Sequence, residues 1–432
     1  MSTVEDGVLP RLLAGIPVHG SMGLAAHRAR HGDLPIGRRR DRRWAAGLVA
    51  EVERSGLRGR GGAAFPLGRK LRAVSEARAR PIVVVNGCEG EPASVKDRLL
   101  VERLPHLVAD GALLAATALG ASDIVFALDD EAAAAAHSLR AALAERADMD
   151  GFAVRMTAVP RGYVSGQESA VVNFLSGGSA KPRATPPMVF QRGVQGRPTL
   201  VSNVETLGHL ALIARHGADW FRTLGTDAEP GSTLVTLSGA VAYPGVYEIE
   251  LGVPLEMLLD AAGGTTRPLR AFVLGGYAGS WVSAAIAREL ALGEAELDDA
   301  GATLGAGIVI AVPDDACPVA ETANVATWLA NQSAGQCGPC ANGLPAIAGA
   351  LRDVARGRGG SLPRIERWAA MVRGRGACAH PDGAARFVST ALDAFGAEFE
   401  AHAIRGPCRA CPRHFLPVPA ARPATLERRM VG

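Results

Sequence analysis

Between residues 82 and 159 the chain alternates short apolar runs with longer stretches of helical period, and this alternation narrows the fold more than any other feature. Residues 82–85 read Ile-Val-Val-Val, 104–119 repeat apolar side chains at helical spacing, 124–128 give a second strand, the alanine-rich 131–146 a second helix and 152–159 a third strand. Every strand-to-strand connection is longer than a dozen residues, which parallel pairing requires and a hairpin does not. The sequence therefore predicts an α/β fold, a Rossmann-like parallel sheet covered on both faces. Ligands of such sheets lie outside the carboxyl ends of the strands.

Two polar loops fall at those ends. Residues 86–92, Asn-Gly-Cys-Glu-Gly-Glu-Pro, follow the first strand and lead to Lys96, Asp97 and Arg98; residues 162–169, Gly-Tyr-Val-Ser-Gly-Gln-Glu-Ser, follow the third and open a helix over 170–175. Ser165 and Glu168 also have the spacing of a capping box, and a capping glutamate can still face a ligand. Upstream, residues 56–70 hold five glycines, three arginines and Lys70. Glycine reaches the left-handed conformations of an amide nest, so this loop can cradle a phosphate. Alone it reads first as a flexible surface loop and only second as a phosphate cradle, because it matches neither common phosphate-binding fingerprint. Residues 181–198 are proline-rich and aperiodic and predict a long functional loop, and 202–206, Ser-Asn-Val-Glu-Thr, open a helix through 214.

From residue 231 the period changes. Strands at 233–237, 245–249 and 271–274 with a short helix at 255–262 predict a small α+β unit ending near 313, and four amphipathic segments at 320–330, 344–356, 365–372 and 384–402 predict a helical bundle. Residues 1–45, with an arginine run over 38–43, are expected to form an extended surface arm. A length of 432 residues implies several domains, and a net charge of +3 is far from the profile of a nucleic-acid binder. The absence of a signal-like start and of any transmembrane segment predicts a cytoplasmic protein. Among seven cysteines, two Cys-x-x-Cys pairs (Cys337 and Cys340, Cys408 and Cys411) read as metal or cluster ligation in a reducing compartment. Cys317 reads as an ordinary buried cysteine.

The glycine-rich loop, the two strand-end loops and Ser-Asn-Val-Glu-Thr, in this order and spacing, resemble the flavin-binding subunit of NADH:quinone oxidoreductase (respiratory complex I) and its relatives in NAD-linked hydrogenases and formate dehydrogenases. The resemblance runs over residues 56–402. It implies an N-terminal arm (1–45), a Rossmann-like FMN/NADH-binding domain (46–230), a β-grasp soluble-ligand-binding domain (231–316) and a helical bundle with iron-sulfur cysteines and a C-terminal tail (317–432). The implied activity is FMN-dependent oxidation of NADH, with electrons passed singly through a 4Fe-4S cluster to a ferredoxin-like iron-sulfur partner subunit, peripheral to a membrane complex. Gly59, Arg60, Gly61, Gly62 and Lys70 would surround the FMN phosphate and ring edge, and Asn86, Asn203, Glu205 and Thr206 the isoalloxazine and ribityl groups. Glu91 and Phe65 would lie on the nicotinamide side, with Glu168 between the ligands, and Cys88, Glu89, Tyr163, Gly166, Gln167 and Ser202 complete the cofactor-binding set.

The chain departs from the family pattern at four places. Cys88 stands where the family has aspartate, and Gln167 replaces one of two paired glutamates. In the proline-rich loop Thr185 and Met188 replace a lysine and a phenylalanine. Ser333 to Cys340 reads Ser-Ala-Gly-Gln-Cys-Gly-Pro-Cys, with Ala334 at the first cluster-ligand position, leaving Cys337, Cys340 and Cys378 where four thiolates are usual. Either the protein supplies three ligands, or Cys408 or Cys411 replaces the missing one, or the cluster is lost; an isolated Cys-x-x-Cys is also read as a structural zinc half-site or an inert pair. An electron-transfer or adaptor subunit that keeps the scaffold but has lost nicotinamide turnover is the alternative function.

Overall fold

The computed structural model describes residues 9–37, 41–77, 79–358 and 360–419. Strands β1 (Ile82–Gly87), β2 (Asp123–Asp129), β3 (Ala153–Val159) and β4 (Thr199–Asn203) form a parallel sheet in the order β3-β2-β1-β4. Ile82, Val83, Val84 and Val85 are wholly buried, because helices cover both faces, and this is why the strand reads as an unbroken β-branched run. The chain steps outward through β2 and β3, then returns to the other flank of β1. That reversal opens a crevice at the carboxyl ends of β1 and β4, where Asn86 and Asn203 are register partners.

Strand β4 corrects the expectation of a loop running straight into a helix. Its short run Thr199, Leu200 and Val201 is buried, and only the last two residues carry the polar motif that marks the helix Val204–His216. Proline and aperiodicity just upstream masked a strand of five residues.

The second sheet is mixed: β5 (Ser232–Gly239), β6 (Gly245–Glu250), β7 (Leu269–Leu274), β8 (Ser280–Ser283) and β9 (Ile308–Pro313), ordered β6-β5-β9-β7-β8. Its centre is β9, parallel to β5 and antiparallel to β7. The helices Pro318–Asn331, Leu344–Ala355, Leu362–Val372 and His380–Arg405 follow. They enclose an apolar core containing Val319, Leu329, Ile347, Leu351, Phe387 and Phe399. Trp281 of β8 joins this core, with its ring 5.6 Å from that of Phe387 and 5.5 Å from that of Phe395.

The N-terminal segment is not an extended surface arm. Leu12 and Leu13 enter the core of the first sheet domain, and Glu248 of β6 accepts the N–H groups of Arg11, Leu12 and Leu13 at 2.8, 3.0 and 3.0 Å. The Arg11 guanidinium is buried, stacks on Trp220 at 3.9 Å and donates to the Trp220 carbonyl. Further on, the helix Leu24–His31 brings His27 to Asp110 at 2.7 Å. The two leucines made this segment a strap, since backbone beside them has to be satisfied once buried. Of the arginine run, 38–40 lie outside the described residues, while Arg42 and Arg43 begin a helix capped by Asp41.

Candidate functional site

The glycine-rich loop folds back on itself: Gly59 N–H donates to the Phe65 carbonyl at 3.0 Å and Leu67 N–H to the Leu57 carbonyl at 2.9 Å. Gly62 (φ 94°) and Ala64 (φ 50°) both occupy the left-handed region, and alanine is held there at a cost in backbone strain. The loop rests on the helix after β4, where Arg60 N–H donates to Thr206 Oγ1 at 2.9 Å. The Arg60 side chain points inward rather than at a ligand: it is buried, donates to the Ser232 carbonyl at 3.0 Å, and burial lowers its affinity for the proton.

Beneath the loop lies a buried ionic floor. Lys96 Nζ meets Asp97 Oδ1 at 2.7 Å, Glu205 Oε2 at 2.6 Å and the Arg60 carbonyl at 3.1 Å. Glu205 is wholly buried and also accepts from Thr233 Oγ1 and the N–H of Leu234. Burial works to raise its pKa, but Lys96 and His209 outweigh it and keep it ionised. Asp97 is the opposite case: burial, with Glu89 and Glu205 nearby, pushes it up to about 7 against the pull of Lys96. Asn203 joins floor to strand end, its Oδ1 capping the helix at Glu205 N–H and its Nδ2 donating to Asp97. Ser202 is buried beside it.

The strand-end loops touch each other through glycine. A Cβ on Gly90 would stand 2.4 Å from the Gly162 carbonyl oxygen, and one on Gly166 would stand 2.9 Å from that of Cys88, so neither position has room for a side chain. Asn86 Nδ2 donates to the Gly166 carbonyl at 2.8 Å. Glu89 serves the fold, accepting the N–H groups of Asp97 and Arg98 at the start of the helix Lys96–Arg103. Burial, then Asp129 and Asp97, push the Cys88 thiol well up, so it stays protonated. The capping box is absent: Gln167, not Ser165, caps the helix Glu168–Leu175, accepting from the N–H groups of Ser169 and Ala170 at 2.9 and 3.1 Å. That leaves Glu168 free to reach Lys70 at 3.1 Å, while the same ammonium donates to the Val201 carbonyl at 2.8 Å.

Glu91 lies where the first sheet domain meets the second. Its Oε2 accepts Tyr277 N–H at 3.0 Å, and its Oε1 is buried without a well-formed hydrogen bond. Burial raises the carboxyl to about 7, with Tyr277 N–H and the Tyr163 hydroxyl pulling the other way. A cavity of about 380 Å³ opens between Gly90, Gly162 and Tyr163 on one side and Asn324, Trp328 and Gln332 of the bundle on the other. Phe65 and Met188 are both about half exposed. The arrangement fits a phosphorylated flavin with a second nucleotide: a glycine backbone with an ammonium at its edge, two asparagines at adjacent strand ends, and a buried carboxyl with a spare acceptor.

The bundle holds two separate sulfur groups. Burial, then the neighbouring Cys337 and Cys378 thiols, push Cys340 up to about 12. Each of the three sulfurs faces backbone N–H groups: Cys337 those of Ala377 and Cys340, Cys340 that of Gly335, and Cys378 that of His380. Such donors stabilise cluster thiolates, so these residues fit an iron-sulfur cluster. Ala334, 7% exposed, sits in the same turn with no thiol. Cys408 and Cys411 lie in the other group, apart from Ala334. They gather instead with Cys317 and His402, beyond the far end of the helix Pro318–Asn331, whose 14 residues span about 20 Å. Nothing in the spacing of Cys317 marked it as a partner of that pair, because the contacts that join it to Cys411 and His402 are tertiary.

Comparison with known proteins agrees with this geometry. Residues 52–211 match the family model described as the Nuo51 FMN-binding domain, 234–276 the SLBB domain, and 320–402 the NADH-ubiquinone oxidoreductase-F iron-sulfur binding region. The F 2 subunit of the NADH-quinone oxidoreductase of Rhizobium meliloti (strain 1021) is 35% identical over 391 residues, covering 85% of this chain and 90% of the relative. The F subunit of the Escherichia coli (strain K12) enzyme is 34% identical over 374 residues, covering 82% and 84%. A crystal structure of an NAD+-reducing [NiFe]-hydrogenase in the H2-reduced state superposes with a TM-score of 0.78 at 31% identity, covering 83% of this chain and 63% of that one. The chain thus spans less than two thirds of the hydrogenase chain. No helix among the described residues is long and apolar enough to cross a membrane.

Proposed function

The chain belongs to the family of the F subunits of NADH-quinone oxidoreductase, and from that premise we propose that it oxidises NADH at a bound FMN and passes the electrons singly, through a 4Fe-4S cluster, to a ferredoxin-like iron-sulfur partner in the cytoplasm. Residues 46–230 would bind FMN and NADH, 231–316 form the β-grasp unit and 317–432 carry the cluster. The observation that carries this reading is the register pairing of Asn86 with Asn203 at the sheet's reversal point, under the glycine-rich loop.

FMN, when bound, accepts a hydride as an electron pair and releases the electrons one at a time. Around it the protein supplies position and charge. Lys70 neutralises the phosphate at the loop's edge, and Asn86 and Asn203 offer amides from two adjacent strand ends. Glu91, beside the Tyr163 hydroxyl, would face the nicotinamide nucleotide and offer its carboxyl as a hydrogen-bond partner. Glu168 pairs with the Lys70 ammonium when no phosphate is there. The floor of Lys96, Glu205 and Asp97 keeps the loop from collapsing into the crevice. Cys337, Cys340 and Cys378 hold the cluster, and Ala334 leaves it with three protein thiolates.

The test is anaerobic purification with assay of flavin, iron and sulfide, followed by stepwise addition of NADH. Bleaching of the flavin, then of cluster absorbance, is expected. Bound FMN that neither NADH nor NADPH bleaches overturns the reading. One observation favours the alternative of a subunit without nicotinamide turnover: half-exposed Met188 stacks on adenine less well than an aromatic ring. Rapid NADH turnover with an artificial acceptor excludes that alternative. Replacing Ala334→Cys should raise iron and sulfide per chain, since it restores the fourth thiolate.

A further inference from the structure

Cys317, His402, Cys408 and Cys411 come from three different places in the chain, yet their ligand atoms all lie within 4.8 Å of one another. Cys317 is the N-cap of the first bundle helix, His402 stands in the last turn of the final one, and the Cys-x-x-Cys pair lies in the tail beyond it. Cys317 Sγ is 3.6 Å from His402 Nε2 and 3.6 Å from Cys411 Sγ, Cys411 Sγ is 3.6 Å from Cys408 Sγ, and Cys411 Sγ is 3.9 Å from His402 Nε2. We propose that these four residues form a tetrahedral Cys3His zinc site that staples the C-terminal tail to the first and last helices of the bundle.

The distances select one metal ion over the other outcomes. A zinc tetrahedron with Zn–S near 2.3 Å and Zn–N near 2.0 Å has S···S edges of about 3.8 Å and S···N edges of about 3.5 Å. A disulfide needs its sulfurs about 2.0 Å apart, and all seven cysteines are free. Four-iron clusters place each cysteine on its own iron, which spreads the sulfurs wider than the edge of one metal's tetrahedron. The surroundings are also built for a fixed ligand set. Cys317 and His402 are 3% and 5% exposed, Ala320 N–H points at Cys317 Sγ at 3.4 Å, and the His402 ring hydrogen-bonds to the Ala355 carbonyl. A carbonyl partner on the second ring nitrogen is how metal-bound imidazoles are usually oriented. With all four positions filled by protein, the site is structural and has no place for substrate. Binding would release the three thiol protons and leave a net charge of −1, with Arg409 and Arg413 adjacent in the tail.

The staple has work to do. Past Cys411, the N–H groups of Phe415 and Leu416 donate to the buried Glu321 carboxylate, and the Pro417 carbonyl accepts from Tyr277 Oη at 3.0 Å. The Tyr277 backbone is the donor to Glu91. A tail of this length has little core of its own, so a metal that fixes its root makes those contacts possible.

The experiment is metal analysis of the anaerobically purified full chain from cells grown with both iron and zinc. One zinc per chain is expected. Cys411→Ser should lower zinc at least tenfold with iron unchanged, while Cys340→Ser should lower iron and leave zinc in place. Cys408→Ser, at the exposed edge of the group, is the second variant if Cys411→Ser fails to fold. Apo wild-type chain titrated with Co²⁺ should develop the visible absorption of tetrahedral thiolate coordination at one equivalent, and trypsin should cut after Arg409 or Arg413 at least tenfold faster in the apo chain. Wild-type protein with less than a tenth of a zinc per chain and no tetrahedral Co²⁺ spectrum overturns the proposal. So does zinc that survives both cysteine substitutions, or iron that Cys411→Ser removes and Cys340→Ser does not.

Discussion

Lys96 and Lys70 are two of only three lysines in the chain, and both lie at the glycine-rich loop, yet they are opposite kinds of residue. Lys96 is sealed beneath the loop with its side chain 2% exposed and two carboxylates in contact; Lys70 stands at the rim, 23% exposed, sharing one carboxylate that is itself 37% exposed. Lysine removed from water is tolerated only when its charge is met, so the floor is over-determined and cannot move. Rim charge is weakly held and can be taken over by a ligand. The motif residues divide along the same line. Arg60, Glu89 and Glu205 turn inward and build the platform, while Lys70, Glu168 and Phe65 face outward.

The sharpest way to break that comparison is Lys96→Met. It strands Glu205 and Asp97 in the interior, and breaking a buried pair from one side costs about 3–5 kcal/mol. Chemical denaturation of the full chain should show that loss. A loss under about 1 kcal/mol would mean the floor is no better fixed than a surface pair.

Glu91 lies between the two extremes, and pH exposes it. Its folded pKa, raised to about 7 chiefly by burial, exceeds the ordinary value of 4.5, so the folded state binds the extra proton. The contribution is therefore fully present below about pH 4.5 and is lost as pH rises through about 7, worth on the order of 3 kcal/mol. Glu91→Gln should remove that pH dependence: the wild type should lose about 3 kcal/mol relative to the variant between pH 4.5 and 8. Parallel stability curves across that window would place Glu91 with the solvated rim.

How much of this could be seen in the sequence follows the same division. Strands β1 and β2 were legible because burial on both faces writes a continuous apolar run, β3 because a half-exposed edge strand still follows a helix at the spacing a parallel sheet requires, and the bundle because amphipathic period is local. β4 and β9 were not: one follows an aperiodic proline loop, and the other pairs in parallel with β5 across more than sixty intervening residues. The strap formed by Leu12 and Leu13 was hidden for a similar reason, since Glu248 is the partner that makes it a strap. The loops of the site were legible as motifs, but their inward or outward direction was not. Spacing suggested a capping box at Ser165, whereas the helix begins at Glu168 with Gln167 as its cap, a local bond that the Ser-x-x-Glu pattern hid and that frees Glu168. Cys408 and Cys411 read as metal or cluster ligands, but their company was not legible, because Cys317 and His402 join them only through the bundle.

At the rim the effects become smaller and shift from stability to affinity. Lys70→Gln should change stability by less than about 1 kcal/mol, as for other partly exposed pairs. The same change should weaken FMN about tenfold, equivalent to roughly 1.4 kcal/mol, measured by flavin fluorescence on titrating the apo chain. Unchanged FMN affinity would remove Lys70 from the cradle.

Glu168→Gln gives the smallest effect and the most informative sign. On the proposed function, Glu168 and a flavin phosphate would compete for one ammonium, which already donates to the Val201 carbonyl. If the rim is a loosely held charge that a ligand takes over, removing the competitor should tighten FMN two- to threefold, worth only about 0.5 kcal/mol, with stability unchanged. Should the variant weaken FMN as much as Lys70→Gln does, the carboxylate must be orienting the ammonium rather than competing for it. The rim would then be as pre-built as the floor, and the distinction between the two lysines would be one of exposure alone.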